Sequence, residues 1–364
     1  MEPEIHFDLK EIGNIDKIIN DQVKELTKLR ELVRDLTFIP VDPVGIYTTV
    51  TYKSIDGGKM GIYFDPLKCD FIIIADSSGN KLMKFLIPFK ASLTPDDFQF
   101  LNDSPEVKKF LQLLNLNSIT ESSEILTNPE IAMELIEFAC IFERLTREKS
   151  EPILIMKDGL LRTKALKHEH IQSLIPVLEN SKKQKLVGVA KSSKILDLII
   201  TALHIENKIP QDYTGYIEIP LEIESIAYKW TKRSQTARKE ILPLEYAFGK
   251  LYIAKLSKKS NLLVTIEIPH DNKNNRAIYS RSEINEIIGH LIKDSLVSYP
   301  ILGYPQTIMR AHERAANWGF TASIWKDKII DRFLNEIKEE NVGRLIKDAN
   351  FLREYVDKGI LGGF

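Results

Sequence analysis

Ile153-Leu154-Ile155-Met156 is a short run, apolar on both faces, entered from Pro152 and closed by Lys157-Asp158-Gly159. A run of this length and composition reads as a central strand buried on both sides. A second such run, Leu186 to Ala190, follows a basic turn, and the segment between them, Glu169 to Leu178, has helical spacing. Strand, helix, strand normally makes a parallel crossover. The chain is therefore expected to be a mixed α/β protein with Asp158 standing where a central strand opens into a loop.

The segments around this unit extend the pattern. Pro129 to Arg147 places Ile131, Leu135, Phe138, Phe142 and Leu145 at helical spacing, with the proline suited to a helix start. Tyr47 to Ser54, Met60 to Phe64 and Phe71 to Ala75 read as strands, followed by Lys81 to Phe89 after the turn Ser77-Ser78-Gly79-Asn80. Asp56-Gly57-Gly58 reads as a tight turn between the first two, so that a meander opens an α+β domain. Ahead of it, Ile12 to Leu36 is one long amphipathic helix, packed along its own domain or serving as a dimerising arm. Downstream, Tyr252 to Leu256 and Leu262 to Ile268 form a hairpin. Helices are expected over Ser282 to Leu296, Gln306 to Asn317 and Lys326 to Lys358, with an apolar stub Ile360 to Phe364.

A net charge of -1 excludes a global basic field, so contact with nucleic acid must come from a local patch. Between Lys157 and Lys194 nine lysines and arginines stand against three acids, which is such a patch or a solvated charged face. Cys69 and Cys140 lie in apolar surroundings without metal-finger spacing and read as buried thiols of a reducing compartment. No apolar run approaches the roughly 18 residues of a membrane span, and Met1 to Lys10 has no apolar signal core. A cytoplasmic protein is expected.

Acids at the ends of buried strands are costly unless paired or bound to a cation. Asp158 is one and Asp56 another, although Asp-Gly is also a common turn. The helix before the Asp158 strand offers Glu134, Glu137 and Glu143. Glu143, near that helix's end, is taken as the third acid. Three such carboxylates suit Mn²⁺ or Mg²⁺, hard ions that can activate water for phosphodiester hydrolysis. His168 and His170 sit in a polar, basic segment and read as surface residues.

Four segments, in order, resemble the NurA nucleases of archaea and some bacteria. They are Ser54-Ile55-Asp56-Gly57-Gly58, Ile155-Met156-Lys157-Asp158-Gly159-Leu160-Leu161, Val187-Gly188-Val189-Ala190-Lys191-Ser192, and Gly303-Tyr304-Pro305 leading to Arg310-Ala311-His312-Glu313. The resemblance implies an RNase H-like core over residues 45–325, an amino-terminal helical arm over 1–44 and a helical extension over 326–364. It implies a homodimer enclosing DNA, manganese-dependent 5'-3' exonuclease and single-strand endonuclease activity, and a HerA-like hexameric ATPase as partner in DNA end resection. Carried over residue by residue, Asp56, Asp158 and Glu143 would be metal ligands, and His312 would assist at the metal or leaving group. The family's active-site tyrosine would fall on Tyr299 or Tyr304, and its helix acid on Glu137 or Glu143. Lys191, Lys194, Arg162 and Lys164 would face the DNA phosphates. The chain carries Asp-Gly-Gly and Asp-Gly-Leu-Leu where the family often has Ser after the glycine; neither change removes a carboxylate. The rival readings are a non-catalytic DNA clamp or motor-docking subunit, and a phosphoesterase acting on RNA or small nucleotides.

Overall fold

The computed structural model describes residues 14–45, 49–64, 67–88, 94–122, 129–147, 151–181, 183–228, 230–233, 238–241, 247–316, 319–337 and 347–348. Along the chain come α1 (Ile15–Val33), β1 (Phe38–Pro40), β2 (Thr51–Phe64), β3 (Leu67–Asp76), β4 (Lys81–Pro88), α2 (Pro105–Leu114) and α3 (Pro129–Arg147). Then follow β5 (Ile153–Asp158), α4 (His168–Asn180), β6 (Gln184–Ala190), α5 (Lys194–Ile205), β7 (Gly215–Glu218), α6 (Leu221–Ala227), β8 (Trp230–Arg233) and β9 (Arg238–Ile241). The remainder is β10 (Gly249–Lys255), β11 (Leu263–Asp271), β12 (Arg276–Ala277), α7 (Arg281–Asp294), α8 (Gln306–Ala316) and α9 (Gly319–Ile337).

The main sheet runs β1-β7-β10-β11-β6-β5-β2-β3-β4, with β12 on β11, while β8 and β9 pair separately. Strands β2, β3 and β4 form an antiparallel meander, β5 lies parallel to β2, and β6 parallel to β5. That order is the RNase H-like arrangement, and because parallel neighbours cannot be joined by a tight turn, α4 carries the chain from the end of β5 back to the start of β6. The fold is mixed α/β, a mixed sheet flanked by helices.

Alternation along β5 divides the core in two. Ile153 and Ile155 pack with Leu135 and Phe138 of α3 and Ile171 and Leu174 of α4. Leu154 and Met156 pack on the opposite face with Ile287 and Leu291 of α7 and Ile308 of α8. Both faces of the strand are apolar because both are covered, which is why it reads as a continuous apolar run.

Asp56-Gly57-Gly58 is not a turn. The strands expected on either side of it are one, β2, paired without a break to β3 from Ile55 to Phe64. The glycines serve close packing instead of chain reversal: a Cβ on Gly58 would stand 2.4 Å from the Ala315 carbonyl oxygen of α8. The carboxy-terminal half of α1 docks on its own domain, Leu29 and Val33 joining Ile195 and Ile199 of α5, while Ile18, Ile19 and Val23 stay exposed. Within the expected 1–44 arm, β1 extends the sheet by pairing with β7. The expected stub Ile360 to Phe364 and most of the helix beyond residue 337 lie outside the described residues. Among the described residues no helix is long and apolar enough to cross a membrane, and both cysteines are buried free thiols.

Candidate metal centre

Ile55 of β2 pairs with Lys157 of β5 in parallel register, so the next residues, Asp56 and Asp158, leave the sheet side by side toward α8. There α8 crosses close to β2, admitted by Gly58, and brings His312 over both carboxylates. His312 Nδ1 lies 3.0 Å from Asp56 Oδ2 and 3.5 Å from Asp158 Oδ2. One ligand atom from each of the three residues lies within 4.8 Å of the others.

Tyr304, in the turn before α8, is fully buried and donates to Asp158 Oδ1 at 2.7 Å, with the Val189 carbonyl oxygen 3.1 Å away. The phenol has one proton, and the shorter, charge-assisted contact to the carboxylate takes it. The bond ties up one Asp158 oxygen and leaves Oδ2 for the shared space. Lys191, exposed just past β6, holds its Nζ 5.9 Å from the centre of the Tyr304 ring. Beside the group a cleft of about 340 Å³ is lined by Asp56, Gly58, Met60, Phe71, Ile73 and His312.

The electrostatics describe a site short of positive charge. Burial pushes the Asp158 carboxyl up, and the neighbouring Asp56 charge adds to this against Tyr304, Lys191 and His312. The hydrogen bond to Asp56 raises His312 despite burial, aided by the charges of both aspartates. Burial and then Asp158 hold the Tyr304 hydroxyl well above its ordinary value. Two crowded carboxylates and an imidazole, all aimed at one point, fit a divalent cation that accepts O and N donors.

Behind the sheet, on the α3 side, lies a second charged group. Lys157 Nζ is 3.4 Å from Glu137 Oε2, and both side chains are buried. Burial pushes the Glu137 carboxyl up, against the pull of Lys157. The same lysine stays protonated despite burial because Glu137 and Glu134 surround it.

Of the residues singled out in the sequence, Asp56, Asp158, His312, Tyr304 and Lys191 come together. Glu143 does not join them: six residues past Glu137, it is turned about 120° round the helix and pairs instead with Arg147 at 3.6 Å. Tyr299 is 79% exposed, and its backbone amide is held by Gln306 Oε1. Arg162 is no phosphate ligand on this surface. It is buried between Glu267 and Glu224, at 3.3 and 3.1 Å, and lies over the Tyr228 ring. Lys164 is half-buried and pulled down by burial and by Lys194, which is exposed at the start of α5. The basic excess therefore does not form one face, since Lys157 and Arg162 point inward and Lys185 pairs with Glu286. His170 is buried rather than on the surface, its Nε2 3.3 Å from the Glu121 carbonyl oxygen. The Glu137 and Lys157 pair escaped sequence reading; the available signal was a lysine alternating with Asp158 at the end of an otherwise apolar strand.

The sequence profile of the NurA domain matches residues 86–316, which include Asp158, Tyr304 and His312, with Asp56 ahead of the matched segment. No curated protein matches the chain in sequence. Among solved structures, the NurA nuclease from Sulfolobus solfataricus is similar at 14% identity, over 91% of this chain and 97% of that chain, with a TM-score of 0.44. A NurA crystal structure is similar at 11% identity, over 84% and 94%, with a TM-score of 0.40. A NurA structure with manganese is similar at 10% identity, over 84% and 95%, with a TM-score of 0.38. With the domain profile matched over more than half of its length, the chain belongs to the NurA family.

Proposed function

We propose that the protein is a metal-dependent deoxyribonuclease whose metal is held by Asp56, Asp158 and His312. The observation that carries this reading is the convergence of these three side chains, from β2, β5 and α8, at the edge of an open cleft. A divalent ion bound there, Mn²⁺ or Mg²⁺, would supply Lewis-acid polarisation of the phosphate and of water. The chain's own residues do the rest. Asp56 and Asp158 offer oxygen ligands and His312 its Nδ1. Tyr304 fixes the rotation of the Asp158 carboxylate. Lys191, exposed beside them, offsets phosphate charge, and the half-exposed His312 ring is placed to hold or pass a proton at the cleft.

Membership of the family supports the finer part of the reading: DNA, single- and double-stranded, as substrate; a homodimer; and a cytoplasmic role with a HerA-like hexameric ATPase in end resection. Co-purification with such an ATPase tests the partnership.

Cleavage of labelled single- and double-stranded DNA with Mn²⁺, Mg²⁺ or EDTA, beside Asp158→Ala, tests the activity. Metal-dependent cleavage lost in the variant is expected. Full activity in both Asp56→Ala and Asp158→Ala would sink the assignment, and absence of cleavage under every metal, alone and with the ATPase, would favour a DNA clamp.

A further inference from the structure

Lys255, the last residue of β10, is 1% exposed, yet among the described residues no carboxylate pairs with it. Its Nζ donates to the Pro210 carbonyl oxygen at 3.0 Å and to that of Gln211, which takes two of its three donors. A buried ammonium without a counter-charge is costly. Burial pulls Lys255 below its ordinary value, and only the charge of the exposed Asp212 acts against this. Glu206, which follows α5, is spent on Arg30 and Arg34 at 2.7 and 3.6 Å.

Lys255 lines a cleft of about 390 Å³ together with the side chains of His204, Asn207, Gln211 and Asn261, and no acidic residue is part of its wall. Imidazole and amides can all donate hydrogen bonds. Lys258 and Lys259, exposed on the loop that holds Asn261, add positive potential. Strand β10 is antiparallel to β11, and β11 to β6, so β10 points the same way as β5 and β6. Lys255 therefore stands at the end of the sheet where Asp158 leaves β5, three strand spacings or roughly 14 Å across it. Carboxyl ends of strands are where open α/β sheets take their ligands.

We infer that this cleft binds a phosphate group, with the Lys255 ammonium as counter-charge and His204, Asn207, Gln211 and Asn261 as hydrogen-bond donors to its oxygens. The anion site stands without the metal centre; the choice of phosphate among oxyanions rests on the nuclease reading above. Pinning the loop at Pro210 would need only a neutral donor, and would not gather amides and an imidazole round a cleft free of acids.

Calorimetric titration of the full chain with inorganic phosphate, in EDTA, tests this. One phosphate per chain is expected. Asn207 is exposed and has φ 52, a left-handed conformation that aspartate also tolerates. Asn207→Asp should therefore melt as the native chain does while weakening phosphate more than about tenfold by like-charge repulsion. Lys255→Gln, which keeps a donor for the loop, should weaken it by a similar factor. A single-stranded oligodeoxynucleotide without terminal phosphates forms the second arm. Displacement of phosphate by it assigns the site to the DNA backbone; phosphate binding without displacement assigns it to free phosphate or a nucleotide. No phosphate binding by the native chain, or equal binding by native and Asn207→Asp, would overturn the inference and leave the metal centre, which EDTA empties, untouched.

Discussion

Tyr304 and Asp158 are joined by a 2.7 Å hydrogen bond across 146 residues of chain, a side-chain link from the turn before α8 to the mouth of β5. Removing the hydroxyl frees the carboxylate to rotate without changing the ring's packing. Tyr304→Phe is therefore expected to lower Mn²⁺ affinity or cleavage about 10- to 100-fold, while costing only about 1 kcal/mol of stability. Calorimetry and thermal melting together check this; an unaltered metal affinity would mean that the phenol serves packing alone.

Gly58→Ala places a methyl group 2.4 Å from a backbone carbonyl of α8, which cannot rotate away as a side chain would. The helix must shift, and His312 moves with it. A loss of about 1–3 kcal/mol is expected, with a fall in metal affinity. At Gly57→Ala the nearest atoms belong to the side chains of Glu137 and Met133, so its effect on the metal should be smaller. Melting and Mn²⁺ titration of the two variants compare them.

Arg162 is the cation for two buried carboxylates, and Glu267 also accepts from the backbone amides of Arg162, Phe248 and Gly249. Arg162→Met leaves those acids uncompensated and should destabilise the protein by about 3–5 kcal/mol. Chemical denaturation measures it. DNA affinity of the remaining folded protein should be unchanged.

Lys185 lies 2.7 Å from Glu286, a carboxylate that is 47% exposed, so the pair is worth little: about 0.5 kcal/mol. The hydrogen bond to Lys185 holds Glu286 below its ordinary value. A depressed folded-state carboxyl contributes stability above the unfolded value and loses it as pH falls through the folded one. Lys185→Met should thus be less stable than native at pH 7, with the gap closing below about pH 4. Urea denaturation at both pH values reads this out; a constant gap would assign the effect to lost aliphatic packing.

The crossover from β5 through α4 to β6 was legible in the sequence because fully covered strands must be apolar throughout, and Asp158 was legible because it interrupts such a run. Pattern alone failed at Asp56-Gly57-Gly58: glycines that mark a turn in one context admit two helices to a flat strand in another, and only the positions of α3 and α8 decide between them. It failed too at Arg162, which carries the same charge in sequence whether it meets phosphate or buried Glu267. Glu143 and Glu137 differ by helix phase, which becomes meaningful once the sheet shows which side of α3 it covers. Over α5 the buried Ile195, Leu196, Ile199, Ala202 and Leu203 recur at helical spacing, which overrides the strand preference of its β-branched residues.

His312 follows Asp56 by 256 residues. A ribosome adding roughly 5–20 residues per second needs about 13 to 50 s to cover that interval. Asp158 is added partway through it, and over the 154 residues from Asp158 to His312, about 8 to 31 s, the nascent chain bears both aspartates without the imidazole that joins them, so fragments released by stalled or aborted translation before α8 lack the complete constellation.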